Sequence, residues 1–87
     1  MSVIVEATPN PNAMKFNTES MIFEGSNSVS VMPGQTSDYP IMNALMGLEG
    51  VDNVFGYQHF ITINKKFDAE WDTIISEVEK VINTYGY

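Results

Sequence analysis

Few side chains in this sequence have the chemistry that covalent catalysis needs. The 87 residues include no cysteine and one histidine, His59, so thiolate nucleophiles and metal clusters held by the chain's own thiolates are excluded. His59 falls in a predicted hairpin loop, where an exposed turn residue is expected, and no Gly-x-Ser-x-Gly motif occurs. Because no nucleophile, base and oxyanion donor can be assembled, we predict no catalytic residues and no enzymatic activity.

Carboxylates are plentiful, but they do not follow a metal-binding spacing. The segment Asp68–Asp72 holds three acids, yet it departs from the calcium-loop pattern, and a helix start with negative residues in its first turn explains it. A phosphate-binding glycine loop is also absent from the sequence. We therefore predict no metal ligands and no cofactor; the alternative is weak binding of iron or another divalent cation by surface carboxylates.

The charge composition disfavours two classes of binding partner, nucleic acids and anionic membranes. Four lysines, no arginine and eleven acidic residues give a formal net charge of −7, which repels phosphate backbones and anionic membrane surfaces. No apolar run is long enough to cross a bilayer, and no charged-then-apolar leader opens the sequence. We expect a monomeric cytoplasmic protein that binds neither nucleic acid nor membrane.

A rigid corner is predicted at residues 8–12, which read Thr-Pro-Asn-Pro-Asn. Each proline fixes φ at about −65° and lacks a backbone N–H, and asparagines readily close turns. The corner must therefore separate two strands, Ser2–Ala7 and Ala13–Asn17. Asn10 and Asn12 are candidate partner-binding residues, and a role confined to turn formation is the alternative.

Lys15 lies just after the corner and is the only cation among the first 64 residues. Most lysines on strands are simply solvated; the alternative is a contact with an acidic group of a partner. Strand alternation turns Met14 and Phe16 toward the core, opposite Lys15. The same rule places three residues of the first strand on its core face: Val3, Val5 and Ala7.

Three further strands are predicted from alternating hydrophobicity. Ser28–Val31 is short and is expected at an edge of the sheet. Val51–Tyr57 and Phe60–Lys65 form a hairpin, with a positive φ allowed at Gly56. The apolar segment Met21–Phe23 is either a brief strand or a loop that anchors against the core.

Two helices complete the chain, over Asp38–Glu49 and Asp68–Tyr85. Ser37 or Asp38 is expected to cap the first helix and Asp68 the second. Pro40 fits the first turn, and Gly50 fits a left-handed C′ position. Apolar residues at helical spacing form the buried stripes: Ile41, Ala44, Leu45 and Leu48, flanked by Met42 and Met46, in the first helix, and Trp71, Ile74, Ile75, Val78, Val81, Ile82 and Tyr85 in the second.

The element order β-β-(β)-α-β-β-α predicts an α+β fold in one domain, residues 1–87. We expect a two-layer sandwich in which two helices cover one face of a mainly antiparallel sheet of four to five strands. Phe60 and Thr62, with Ile4 or Phe55, would then remain on the uncovered face. Exposed aromatic residues on such a face mark a partner site. The predicted partner-binding residues are therefore Phe60 and Thr62 on this face, together with Asn10, Asn12 and Lys15 at and after the corner.

The segment Thr8–Phe16 resembles the opening motif of the Nfu-type scaffold N-terminal domain. The resemblance continues in the right order and spacing through Leu48–Val51, Val54-Phe55, Phe60–Ile63 and Trp71. It implies the same fold and a link to iron–sulfur cluster assembly or delivery, with assembly or client proteins as partners.

In that family a second domain, related to the NifU C-terminus, follows and carries a Cys-x-x-Cys pair for a cluster. This sequence contains no cysteine, so the resemblance does not extend to cluster binding. We expect a stand-alone, non-enzymatic interaction module that assists the scaffold and is not itself a thiolate cluster carrier. Similar single-domain proteins of low-GC Gram-positive bacteria agree with a cytoplasmic location.

Overall fold

Seven regular elements follow one another in the computed structural model of the chain, which describes residues 3–87. The strands are β1 (Val3–Ala7), β2 (Ala13–Thr18), β3 (Val29–Val31), β4 (Val51–Tyr57) and β5 (Phe60–Lys65), and the helices are α1 (Pro40–Met46) and α2 (Trp71–Thr84). The five strands form one antiparallel sheet in the order β1-β2-β5-β4-β3. The predicted α+β architecture is confirmed, and Ser2, the predicted start of β1, lies outside the described residues.

The hydrophobic core lies between the two helices and one face of the sheet. Strand alternation turns Phe16, Ile61 and Ile63 toward the helices, and all three side chains are fully buried. Val3 and Val5 pack against this core as predicted, whereas Ala7 is exposed at the end of β1. Buried side chains from both helices complete the core: Ile41, Met42 and Leu45 from α1, and Ile74, Val78 and Ile82 from α2.

Helix α2 follows its predicted stripe but is shorter at both ends. It begins at Trp71, with Glu70 rather than Asp68 at the N-cap and no side-chain cap. The reason is a turn just before it, in which the N–H of Ala69 donates to the carbonyl of Lys66 at 3.0 Å. At the other end the helix stops at Thr84, so Tyr85 is 43% exposed and does not extend the buried stripe.

Helix α1 is also shorter than predicted. Tyr39 is its N-cap residue, without a side-chain cap, and Pro40 occupies the first turn as expected. Ser37 does not cap the helix, because its Oγ accepts from the N–H of the N-cap residue, Tyr39, at 3.1 Å. The Asn43 side-chain amide accepts from the Ser37 N–H and donates to the Ser37 carbonyl, at 2.8 Å each. Met42 is fully buried; its predicted flanking position was wrong, since α1 contacts β3, β4 and α2 and so buries a wider face.

Gly50 has the predicted positive φ, +91°, but it does not occupy the predicted C′ position of α1. The C-cap of α1 is Gly47, in right-handed geometry, and Gly50 instead turns the chain into β4. A Cβ there would lie 3.0 Å from that of Ala69, so glycine is required by both backbone angle and space.

The Met21–Phe23 segment is a loop anchor and not a strand. Ile22 and Phe23 are buried, and their N–H groups donate to the carbonyl of Gln58 at 2.8 and 3.1 Å. The Phe23 ring lies against Gly56, where an added Cβ would collide with it. The expected positive φ at Gly56 was therefore wrong: it occurs at Gln58, φ 47°, and Gly56 is required by the close approach of an aromatic ring.

Replacing Gly56 with alanine is expected to destabilise the fold. Gly56→Ala should lower the free energy of unfolding by about 1–3 kcal/mol, because the new methyl group displaces the Phe23 ring. Urea denaturation of the variants provides the measurement. In a Phe23→Ala background the same Gly56→Ala change should cost nothing or stabilise the strand, because alanine is favoured over glycine there. An equal loss in both backgrounds would contradict the steric explanation.

Candidate interaction surface

The face of the sheet opposite the helices remains uncovered in the described structure. We call it the open face, and it comprises residues whose neighbours along each strand point into the core: Ile4, Glu6, Lys15, Asn17, Asn53, Phe55, Tyr57, Phe60, Thr62 and Asn64. The strand register aligns Lys15 with Thr62 and Thr62 with Phe55. The next row aligns Asn17 with Phe60 and Phe60 with Tyr57. β2, β5 and β4 therefore form one continuous surface, which extends to Ile4 and Glu6 on β1.

An aromatic cluster occupies the middle of the open face. The ring centroid of Phe60 lies 6.2 Å from that of Phe55 and 6.1 Å from that of Tyr57. Such separations are typical of favourable tilted aromatic pairs. All three side chains are half-buried, and Ile4, at the edge of the same face, is 65% exposed. Both candidates that the sequence left open, Ile4 and Phe55, thus lie on this face.

The Lys15 side chain lies over the ring of Phe60 and does not form an ion pair with an acidic side chain in the described part of the chain. Its Nζ lies 4.3 Å from the centroid of the Phe60 ring, within the range of a cation–π interaction. Glu6 is its cross-strand neighbour, but the Glu6 carboxylate accepts a hydrogen bond from Asn17 Nδ2 at 2.7 Å. Between residues 3 and 87 the one ion pair joins Lys80 and Glu77. The Lys15 ammonium therefore has an aromatic neighbour and no protein carboxylate.

Beyond Thr62 the open face becomes polar. Asn64 Nδ2 donates to Asn53 Oδ1 at 2.9 Å, and Asn53 Nδ2 donates to Asp52 Oδ2 at 2.8 Å. These two hydrogen bonds link the amides of Asn64 and Asn53 to the Asp52 carboxylate. The linked group therefore marks the limit of the apolar part of the surface.

The Pro-Asn corner is held by hydrogen bonds. Asn10 Oδ1 accepts from the N–H of Asn12 at 2.9 Å, and Thr8 Oγ1 lies 2.9 Å from the carbonyl oxygens of Asn10 and Ala13. The carbonyl of Asn12 accepts from the N–H of Lys65 at 2.8 Å, which fixes the corner to β5. The Asn10 side chain thus closes the turn, which is the turn-forming role considered for the corner asparagines.

The predicted site residues consequently divide into two groups. Lys15, Phe60 and Thr62 lie together on the open face, whereas Asn10 and Asn12 precede β2, outside that row. Sequence reasoning missed Tyr57, although its alternation with Phe55 along β4 already placed it on the same face.

The structure adds little support for His59 or for the surface carboxylates as functional sites. His59 is exposed, and its carbonyl accepts from the N–H of Thr18 at 2.7 Å, as expected of a turn residue. Within the described part of the chain, no group of three or more His, Asp or Glu side chains is placed to hold a metal ion. No helix among those residues is long and apolar enough to span a membrane.

Comparison with known proteins agrees with this geometry. The family model for the N-terminal region of the scaffold protein Nfu/NifU matches residues 3–87. The chain belongs to this family. The match includes the corner and the β4–β5 hairpin.

Two curated relatives illustrate the family. The chain is 36% identical over 83 residues to the mitochondrial NFU1 iron–sulfur cluster scaffold homolog of Drosophila sechellia, covering 94% of this chain and 29% of that protein. It is 38% identical over 79 residues to a NifU-like protein of Schizosaccharomyces pombe, covering 88% of this chain and 30% of that one. The chain therefore spans less than a third of the length of either relative.

The fold also has a solved counterpart. The crystal structure of protein SAV1430 from Staphylococcus aureus superposes with a TM-score of 0.82 at 32% identity. The match covers 94% of this chain and 99% of that one. The sheet and its two helices thus recur as a unit in a related protein.

The two corner asparagines should differ in their effect on stability. Asn10→Ala removes the acceptor for the Asn12 N–H and should lower the free energy of unfolding by about 1 kcal/mol. Asn12→Ala should change it by less than about 0.5 kcal/mol, because the bonds of Asn12 are made by its backbone. Neither residue has a positive φ, so alanine fits both positions. Denaturant midpoints test this; equal losses for the two variants would refute the turn-closing role of the Asn10 side chain.

Proposed function

We propose that this chain is a non-enzymatic interaction module in iron–sulfur cluster assembly or delivery. Membership of the Nfu/NifU N-terminal family supports this, as do relatives named as iron–sulfur cluster scaffold homologs. Its partners are assembly proteins that carry clusters or client proteins that receive them. The chain contributes shape and contacts to the transfer, and the chemistry of the cluster belongs to the partner.

The residue inventory supports a role other than cluster carriage for these 87 residues. Iron–sulfur clusters are held chiefly by cysteine thiolates, and the chain contains none. A cluster bound near this domain would need its ligands from another protein or another polypeptide segment. Weak iron binding by surface carboxylates was the alternative, and no observation in the described residues favours it.

The observation that carries the proposal is the open face. Three half-buried aromatic rings lie together on a sheet surface that no described element covers. Aromatic residues are enriched at the centres of protein interfaces, where they contribute much of the binding energy. The open face therefore offers the binding surface, and the corner sets the geometry of the β1–β2 hairpin beside it.

A titration followed by NMR tests this proposal. The ¹⁵N-labelled chain is mixed with a purified Nfu-type protein that holds a cluster on its Cys-x-x-Cys domain, and separately with a client protein lacking its cluster. We expect shifts confined to the open face with at least one of them, and no iron on the chain after separation. The combined Lys15→Ala and Phe60→Ala changes should weaken binding at least about tenfold.

The matched control exchanges a lysine and a phenylalanine elsewhere on the surface. Lys80, on α2, and Phe67, which is 86% exposed in the loop after β5, lie off the open face. Lys80→Ala with Phe67→Ala should leave the affinity within about twofold. The proposal fails if neither protein shifts the open face, or if the chain itself retains the cluster.

A further inference from the structure

Lys15 gives the open face a chemical preference that an apolar surface alone would lack. Three charged side chains lie on or beside that face: Glu6, Lys15 and Asp52. Glu6 already accepts a hydrogen bond from Asn17, whereas Lys15 has the Phe60 ring beneath its ammonium and forms no ion pair in the described structure. Lys15 is therefore the one cation of this face, and its ammonium has no ion-pair partner among the described residues, on a chain whose net charge is −7.

Covering the aromatic cluster necessarily affects this ammonium. Because Lys15 Nζ lies 4.3 Å from the centroid of the central ring, Phe60, a partner that contacts Phe60 also displaces water from Lys15. An ammonium group has three donors, and burial without an acceptor is strongly unfavourable. A partner that binds here must supply an acceptor at Lys15, and a carboxylate is the strongest one that a protein side chain offers.

We propose, building on the proposed function, that the open face binds a partner segment in which a carboxylate adjoins an aromatic or aliphatic side chain. The carboxylate pairs with Lys15 where the ammonium rests on Phe60. The apolar neighbour packs on Phe55 and Tyr57. Thr62, aligned between Lys15 and Phe55, supplies a hydroxyl at the boundary between the two contacts.

Charge also distinguishes this occupant from the alternatives. A second copy of the chain would bring two net charges of −7 together, and the carboxylates of this face, on Glu6 and Asp52, are already bonded to Asn17 and Asn53. Nucleic acid and anionic lipid are repelled by the same net charge. The partner is therefore a protein whose net charge is neutral or positive, with a local carboxylate in its contact segment.

Two capped pentapeptides test this preference directly. One has the sequence Ala-Phe-Asp-Leu-Ala and the other replaces its aspartate with asparagine. Titrated into the ¹⁵N-labelled chain, the aspartate peptide should shift Lys15, Phe60 and Thr62, with a dissociation constant at least about fivefold lower than that of the asparagine peptide. The preference should shrink as salt is added, since it rests on a charge pair at the surface.

Variants assign the preference to one side chain. Lys15→Gln should abolish the difference between the peptides, Lys15→Arg should retain it, and Lys80→Gln serves as the matched control that leaves it unchanged. The NMR spectrum of each variant reports that the fold is intact. Equal affinities in the unmodified chain, no binding of either peptide, or a preference that survives Lys15→Gln would each overturn the inference.

The two proposals can fail separately. The peptide titration contains no iron–sulfur protein, so a carboxylate preference without any response to a cluster carrier or client contradicts the proposed function alone. Binding of a carrier or client that is unaffected by Lys15→Gln contradicts the carboxylate inference alone.

Discussion

Both helices lie on the same face of the five-stranded sheet, and this one-sided packing determines the remainder of the structure. Burial of apolar side chains is the dominant favourable term in folding, and here it is concentrated between Phe16, Ile61 and Ile63 on the sheet and Ile74 and Val78 on α2. A chain of 87 residues can bury only a modest core. The two helices therefore cover one face of the sheet, and the other face is exposed to water or available to a partner.

The ends of the sheet depend on contacts between residues far apart in sequence. Trp71 Nε1 donates to the carbonyl of Pro11 at 3.0 Å, joining the first residue of α2 to the corner. The Phe23 ring fills the space that Gly56 leaves on β4, and its edge meets the Tyr39 ring at a centroid separation of 4.8 Å. These contacts fix the loops against the core without adding regular structure.

The sequence was sufficient wherever one local signal acted alone. Alternation in Val51–Tyr57 and Phe60–Lys65 gave both strands with their observed bounds, and the prolines and asparagines gave the corner. It was insufficient where tertiary contacts overrode a local preference. Asp68 is a good N-cap residue, but a turn at Lys66–Ala69 delays the helix. Gly56 could have adopted a positive φ, but it lies inside β4, and glycine is required there by the ring of Phe23, which lies 33 residues earlier in the sequence.

On the open face, too, the sequence predicted what depends on local pattern and not what depends on tertiary contacts. Strand periodicity placed Lys15, Phe60 and Thr62 on one face before any register was known. It could not show that Asn17 engages Glu6, because that depends on how β1 pairs with β2. This pairing bears on the proposed recognition: with Asn17 bonded to Glu6, Lys15 lies over the Phe60 ring and has no ion-pair partner among the described residues. An acidic chain thereby presents a cation without an ion-pair partner beside the aromatic cluster of its uncovered face, where a partner would have to neutralise it.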